Sequence, residues 1–237
     1  MTSENAGQSE VSRIRAAYAR REHSVPKDRY SLFREENLLS HLELQREIVR
    51  LLRRSQHSHL EREQVLDVGC GRGFWLRQFV QWGAKPNNLY GIDLLEERVR
   101  EGKQLCQEGT TLQCGDASKL EFEDNSFDLI LQFTVFTSIL DQQMKMKLAT
   151  EMARVLKAGG AVLWYDYFVS NPYNPDVCGV TRKEILQLFP KLLISLKRIT
   201  LAPPLGRAVA PFFPPLYRAM STIKPLCTHY LGFFEKP

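Results

Sequence analysis

The segment Gln64-Val65-Leu66-Asp67-Val68-Gly69-Cys70-Gly71-Arg72-Gly73-Phe74 constrains this chain more than any other stretch. Aliphatic residues lead into an acid and then into three glycines at alternate positions, followed by Trp75-Leu76-Arg77-Gln78-Phe79-Val80. The first part reads as a short buried strand, and the last as a helix with apolar residues at 76, 79 and 80. Glycines between them allow a tight turn and leave bare peptide over it, so a ligand can lie against the backbone. The helix behind the turn offers unpaired N–H groups and a positive dipole end, which suit an anionic or carboxylate group. On these grounds the segment is a nucleotide-type cofactor loop.

The spacing speaks against two common loops of this kind. The dinucleotide pattern Gly-x-Gly-x-x-Gly needs glycine where Phe74 stands, and the extra glycine comes one residue early at Gly73. No Gly-Lys-Ser/Thr follows, which excludes a P-loop. Downstream, strands expected over 64–69, 89–93, 111–114, 127–132 and 161–165 alternate with helices. The helices fall at 73–82, at about 95–108, and on a segment with Leu148, Met152, Val155 and Leu156 on one face, which Gly159-Gly160 should stop. This alternation predicts a parallel sheet covered on both faces. Thr181-Arg182-Lys183-Glu184 has the form of a capping box and predicts a helix running to about Phe189, then a strand over 193–201. Pro203-Pro204 should break that strand, and a final strand is expected over 230–235. In an open parallel sheet the ligand lies beyond the carboxyl ends of the strands. Asp93 closes the second strand, where its two oxygens could accept both hydroxyls of a ribose or simply cap the next helix.

Val65 to Gly73, with Asp93 and Gly115-Asp116-Ala117 at later strand ends, resembles the motifs of class I S-adenosylmethionine-dependent methyltransferases over roughly residues 60–168. The resemblance implies an α/β, Rossmann-like fold: seven strands, mostly parallel, helices on both faces, and an antiparallel last strand inserted through a hairpin with strand six. It implies S-adenosylmethionine as cofactor and S-adenosylhomocysteine as its product. The backbone of Gly69, Cys70, Gly71 and Gly73 would line one side of it, Asp93 would hold the ribose, and Leu94 would also contact the cofactor. Asp116 would accept from the adenine amino group and the Ala117 N–H would reach a ring nitrogen, while Gln132 and Phe133 would lie beside the methionine. Cys70 enters through its backbone, since nothing nearby marks it as an activated nucleophile.

The departures narrow the chemistry. Enzymes that methylate DNA amino groups carry Asn/Asp-Pro-Pro-Tyr after strand four, where this chain has Gln132-Phe133-Thr134-Val135; Asn171-Pro172-Tyr173 follows strand five and lacks the second proline. The Pro-Cys of cytosine-carbon methylation and the paired glutamates of arginine methylation are missing there too. Gln132 and Thr134 are poor ligands for a hard cation, so no metal is expected. The reading is a metal-independent methyltransferase acting on a small molecule, with oxygen of a sugar or specialised metabolite as the expected acceptor atom and nitrogen or carbon as alternatives. Asp166, just past strand five, and His41, on a preceding helix, are the candidate bases. Tyr18, Phe136, Tyr165 and Tyr167 are candidate aromatic walls, and Asn171 and Asn174 candidate contacts to a hydroxyl-rich acceptor. Two rival classes share the loop: a cofactor-binding subunit without turnover, and a dinucleotide oxidoreductase that Phe74 disfavours.

The rest of the chain sets the frame. Residues 1–10 are polar and expected to be disordered, 11–58 to form helices that either pack on the sheet edge or close over the site, and 59–237 to form the cofactor-binding domain. Residues 202–229 would be an unusually long hairpin loop in it. Five cysteines, an odd number without a Cys-x-x-Cys pair, and the absence of an apolar leader fit reduced thiols in a cytoplasmic protein. A net charge of +5 on 237 residues without long like-charge runs argues against nucleic acid. No run approaches the ~20 apolar residues of a membrane span. A homodimer is compatible with this composition.

Overall fold

The structure, a computed structural model, describes residues 3–26 and 28–237, with side chains described from Ser9 onward. Seven strands form one sheet in the order β3-β2-β1-β4-β5-β7-β6. The parallel strands are β1 (Val65–Val68), β2 (Leu89–Asp93), β3 (Thr111–Cys114), β4 (Phe127–Phe133) and β5 (Leu156–Tyr167). Strand β7 (Cys227–Glu235) runs antiparallel between β5 and β6 (Leu193–Leu201), the arrangement that the resemblance implied.

Period-two patterning builds the layers. Leu66, Val68, Ile130 and Val162 face one core, covered by helices α5 (Gln142–Val155) and α6 (Arg182–Leu188). Val65, Leu129, Leu131 and Leu163 face the other, covered by α2 (Glu35–Arg54), α3 (Phe74–Gln81) and α4 (Glu96–Leu105). Strands buried on both faces are what a near-continuous aliphatic run encodes. The strand order reverses between β1 and β4, which are parallel, and a crevice lies beyond the strand tips at that point.

Several expectations need correction. The first helix, α1, spans Ser3–Ser24 rather than starting at Val11, so most of the segment expected to be disordered is helical; Met1 and Thr2 lie outside the described residues. Gly159-Gly160 does not stop a helix. Helix α5 already ends at Val155, and the glycines make a bulge in β5, where the pairing partners jump from Phe127↔Leu156 to Leu129↔Ala161. Gly159 has φ +76, a conformation that this extra backbone requires and that glycine adopts without penalty. The prolines end β6 at Leu201 and interrupt the helical stretch after Val209, as expected, and they also start helices. Pro203 and Pro204 open α7 (Pro203–Val209), and Pro214 and Pro215 open α8 (Pro214–Ser221), because a first helical turn has no use for their missing N–H groups. The long hairpin loop is therefore a helical pair, and β7 begins at Cys227.

Helix α1 is held across the strand tips by one buried acid. Glu10 accepts from the backbone N–H groups of Leu140 (2.6 Å) and Asp141 (3.3 Å), at the amino end of α5, and pairs with Arg13. Arg13 also donates to the Ser138 carbonyl, and Arg20 pairs with Asp176. Burial alone would raise the Glu10 carboxyl, but Arg13 and the two amides outweigh it and hold it below its ordinary 4.5. A depressed carboxyl supports the structure above that value and withdraws support as pH falls through the folded-state pKa. Glu10→Gln should therefore speed amide hydrogen exchange along α1 at neutral pH while β1 and β4 stay protected. The wild type should show the same loosening only in acid.

Candidate active site

The glycine loop is built by left-handed backbone. Gly69, Gly71 and Gly73 have φ of +73, +53 and +70. Two of them are also sterically pinned. A Cβ on Gly69 would lie 2.4 Å from Val135 Cγ2, and one on Gly73 would lie 2.4 Å from Cys106 Sγ. Gly73 thus serves the packing of α3 against α4, whereas Gly69 lies open to the crevice beside Val135.

A cavity of about 140 Å³ sits at the tips of β1, β2, β3 and β4. Gly69, Asp93, Leu94, Asp116, Ala117 and Phe133 line it, which brings together six of the ten residues expected to hold the cofactor. The Asp93 carboxylate ties the loop to β2: Oδ2 accepts from the Gly71 N–H and Oδ1 from the Leu95 N–H, each at 2.9 Å. Each oxygen keeps a second lone pair. Asp116 Oδ1 accepts from the Ser118 N–H at 2.9 Å, leaving Oδ2 for the cavity. Both carboxylates do what an ordinary turn cap does and still present acceptors to a ligand.

The other four cofactor candidates do not line the cavity. The Gly69 and Cys70 N–H groups donate to the Ile92 carbonyl, at 2.8 and 3.1 Å, and the Gly71 N–H goes to Asp93. The expectation that these amides face the ligand is therefore corrected: they hold the loop on β2. Cys70 turns its side chain into the core over Gly91, and burial pushes its thiol far above the ordinary range. Gly73 is the packing glycine. Gln132 is fully buried, its Nε2 donating to Asp166 Oδ2 at 2.8 Å and its Oε1 without a partner among the described residues.

The candidate bases fall outside the cavity. Asp166 is 1% exposed and accepts from Gln132 Nε2, from the Thr137 N–H and hydroxyl, and from the Tyr167 N–H. It anchors the turn 136–138 to β5 instead of facing the cleft. Burial pushes it from 3.8 up to about 6, with the Thr137 and Gln132 donors working against the rise. A raised carboxyl supports the fold below its unfolded pKa and loses that support as pH rises through the folded one. The stability difference between wild type and Asp166→Asn should accordingly shift against the wild type by about 2–3 kcal/mol between pH 4 and pH 7, read from denaturant unfolding. His41 lies on α2, stacked on Trp75 (5.4 Å, 18°) and edge-on to Phe74 (4.7 Å), and burial lowers its pKa; its Nε2 has no hydrogen-bond partner among the described residues.

The acceptor candidates divide. Tyr18 lines the cavity, with its hydroxyl 3.2 Å from Ser138 Oγ and the Arg98 guanidinium 4.6 Å above its ring. Tyr165 and Tyr167 join a row of rings that starts at the cavity wall: Trp75 stacks on Phe133 (4.5 Å), Phe133 meets Tyr165 (6.3 Å), and His229 lies against Tyr165 (4.7 Å) and Tyr167 (3.7 Å). Burial takes His229 down to about 3, so it is a neutral ring. Phe136, by contrast, is a core residue on Trp164 and Phe189. Asn171 and Asn174 close local turns, accepting from the Tyr173 and Asp176 N–H groups, and do not line the cavity. A short polar run between prolines is a turn former first, which explains the miss.

Sequence reading also missed Val135, Arg98 and Ser138, which line the cavity. Thr134 signals the first of these only in three dimensions: its φ of +60 turns the chain sharply after β4 and drives Val135 against Gly69. Among the described residues no group of three or more His, Cys, Asp or Glu side chains converges as metal ligands would.

Residues 65–160 match a family model described as a methyltransferase domain. Residues 65–160 form a class I S-adenosylmethionine-dependent methyltransferase domain. Curated relatives of the methyltransferase domain include the demethylmenaquinone methyltransferase of Staphylococcus aureus, 32% identical over 139 residues, covering 56% of each chain. The chain thus spans about half the length of the curated relatives it matches. Solved structures share the fold at low identity. A Pyrococcus horikoshii protein aligns with a TM-score of 0.63 at 16% identity, covering 91% of this chain and 99% of that one. A methyltransferase of Methanosarcina mazei, described as S-adenosylmethionine-dependent, aligns at 0.53 and 17%, covering 76% and 96%.

Proposed function

We propose that the protein transfers a methyl group from S-adenosylmethionine to a small molecule held beside Phe133. The observation that carries this reading is the pair of carboxylates, Asp93 and Asp116, at successive strand tips on one cavity that also exposes the side-chain-free Gly69. Asp93 suits ribose hydroxyls, Asp116 with Ala117 suits the adenine edge, and Gly69 with Phe133 and Thr134 suits the methionine end. When bound, the methyl donor supplies an electrophilic carbon on a sulfonium. The chain's own part is then orientation and exclusion of water, which in-line displacement depends on. Tyr18 and Ile14 of α1 supply the cover, since both line the cavity from above the sheet tips. This supports the lid over the sheet-edge alternative for α1, while α2 packs on the opposite face against β6 and α7.

For the acceptor, we favour a flat aromatic or quinone-like ring over the sugar hydroxyl first expected. The row Phe133, Tyr165, His229 and Tyr167 is aromatic and uncharged, and the two asparagines suited to a sugar are on an exposed loop. Asp166 has both oxygens occupied by protein donors. An acceptor that needs no side-chain base, such as a phenolate or an activated ring carbon, fits this better than an unactivated hydroxyl. The relatives named as demethylmenaquinone methyltransferases agree with a ring acceptor. Five free cysteines support a reducing, cytoplasmic setting.

The test has two arms. Titration calorimetry should show heat with S-adenosylmethionine and S-adenosylhomocysteine and none with NAD. Labelled methyl from the donor should appear on phenolic or quinol acceptors in preference to sugars. Binding without turnover on any acceptor would favour the non-catalytic subunit, and preferential transfer to sugar hydroxyls would restore the sugar reading.

A further inference from the structure

Between Ala202 and Cys227 the chain holds three cations, Arg207, Arg218 and Lys224, and no acid. Among the described residues none of the three makes a salt bridge, although Glu43 of α2 lies within electrostatic reach of Lys224. Helices α7 and α8 occupy this stretch and meet at a turn whose apex carries Phe212, 85% exposed, and Phe213, 57% exposed. The turn is ordered: both phenylalanine N–H groups donate to the Val209 carbonyl, and Pro211 and Pro214 flank the pair. Leu216 and Ile223 extend the exposed apolar surface along and beyond α8. Helix α2 packs on α7, and Leu32 and Phe33 are exposed just ahead of its first turn.

Adjacent aromatic tips on an ordered turn, in a stretch that carries three cations and no acid of its own, select their partner by both criteria. A second copy of the chain is disfavoured, because a two-fold contact through this stretch would set its cations against their own images. A phosphate-bearing apolar layer satisfies both: rings enter the acyl boundary while cations meet phosphates. We propose that the α7–α8 turn docks the protein on anionic phospholipid surfaces, with Phe212 and Phe213 inserted and Arg207, Arg218 and Lys224 at the headgroups. No helix among the described residues is long and apolar enough to cross a membrane, so the attachment is peripheral and reversible.

The test is co-sedimentation of the full chain with sucrose-loaded vesicles of equimolar phosphatidylglycerol and phosphatidylcholine, against pure phosphatidylcholine. The wild type should bind the anionic vesicles at least about tenfold more tightly, three cations each contributing at the headgroup level, and should release in high salt. Phe212→Ser with Phe213→Ser should lower the anionic-vesicle affinity at least about tenfold, as should Arg218→Glu with Lys224→Glu. All four positions are exposed, so unchanged thermal midpoints accompany these losses. Equal binding to neutral and anionic vesicles overturns the proposal, as does full binding by the phenylalanine variant. So does a wild-type dimer in sedimentation velocity that the phenylalanine variant dissolves, which would make this surface a contact between copies. Because the readout is lipid binding, it stands or falls apart from the methyl-transfer reading.

Discussion

Asp93→Ala is expected to weaken binding of S-adenosylhomocysteine at least about tenfold, measured by titration calorimetry on a variant that keeps its native circular dichroism. A charge-assisted contact to ribose is worth ~1.5–3 kcal/mol, which sets that floor. The structure raises the expectation, because the same carboxylate holds the Gly71 and Leu95 N–H groups at 2.9 Å. Its loss would remove the proposed ribose contact and also untie the glycine loop from β2. Asp93→Asn separates the two effects. One amide oxygen can keep one backbone N–H, while the NH2 group faces the other donor, so the loss should be smaller than for alanine yet still measurable. Affinity unchanged in both variants would mean that the ligand does not sit at β2.

Gly69→Ala is expected to lower stability by about 2–4 kcal/mol and to abolish cofactor binding. Two penalties add. The left-handed backbone at φ +73 costs an L-residue about 1–2 kcal/mol, and the new methyl would lie 2.4 Å from Val135 Cγ2, a contact that must displace one of them. Relief is specific: Gly69→Ala combined with Val135→Ala removes the clash and leaves only the backbone penalty. The double variant should regain about half of the lost stability in denaturant unfolding, with the coupling read as a double-mutant cycle. Cofactor binding should stay impaired, since the methyl still projects into the crevice. Additive losses would show that Val135 does not control this approach.

The parts of the site that were legible in the sequence are those set by local rules. Alternate glycines after an aliphatic strand announce left-handed backbone, and acids at the ends of two further strands announce carboxylates near the same crevice. The resemblance supplied their cofactor roles, and the cavity brings Asp93, Asp116, Leu94, Ala117 and Phe133 together with Gly69. The candidate bases and the polar acceptor contacts were not legible, whereas Tyr18 was and lines the cavity. Asp166 sits at a strand end like Asp93, but its neighbours Gln132 and Thr137 come from other elements and bury it. Asn171 and Asn174 look like ligands in sequence and are turn formers in space. Proline pairs that read as breakers do end β6 and separate α7 from α8, but they also start those helices, since position within the helix decides what proline does.

By itself the sequence determined the alternation of strand and helix, the reach of the glycine loop and the places where carboxylates could stand, because period and φ preference act over a few residues. Only the tertiary structure decided which polar groups remain available to a ligand. That depends on partners far away in the chain: Ile92 taking the loop amides, Thr137 and Gln132 taking Asp166, and Val135 closing on Gly69. Hydrogen-bond satisfaction is settled across the whole fold, so no local pattern can assign it.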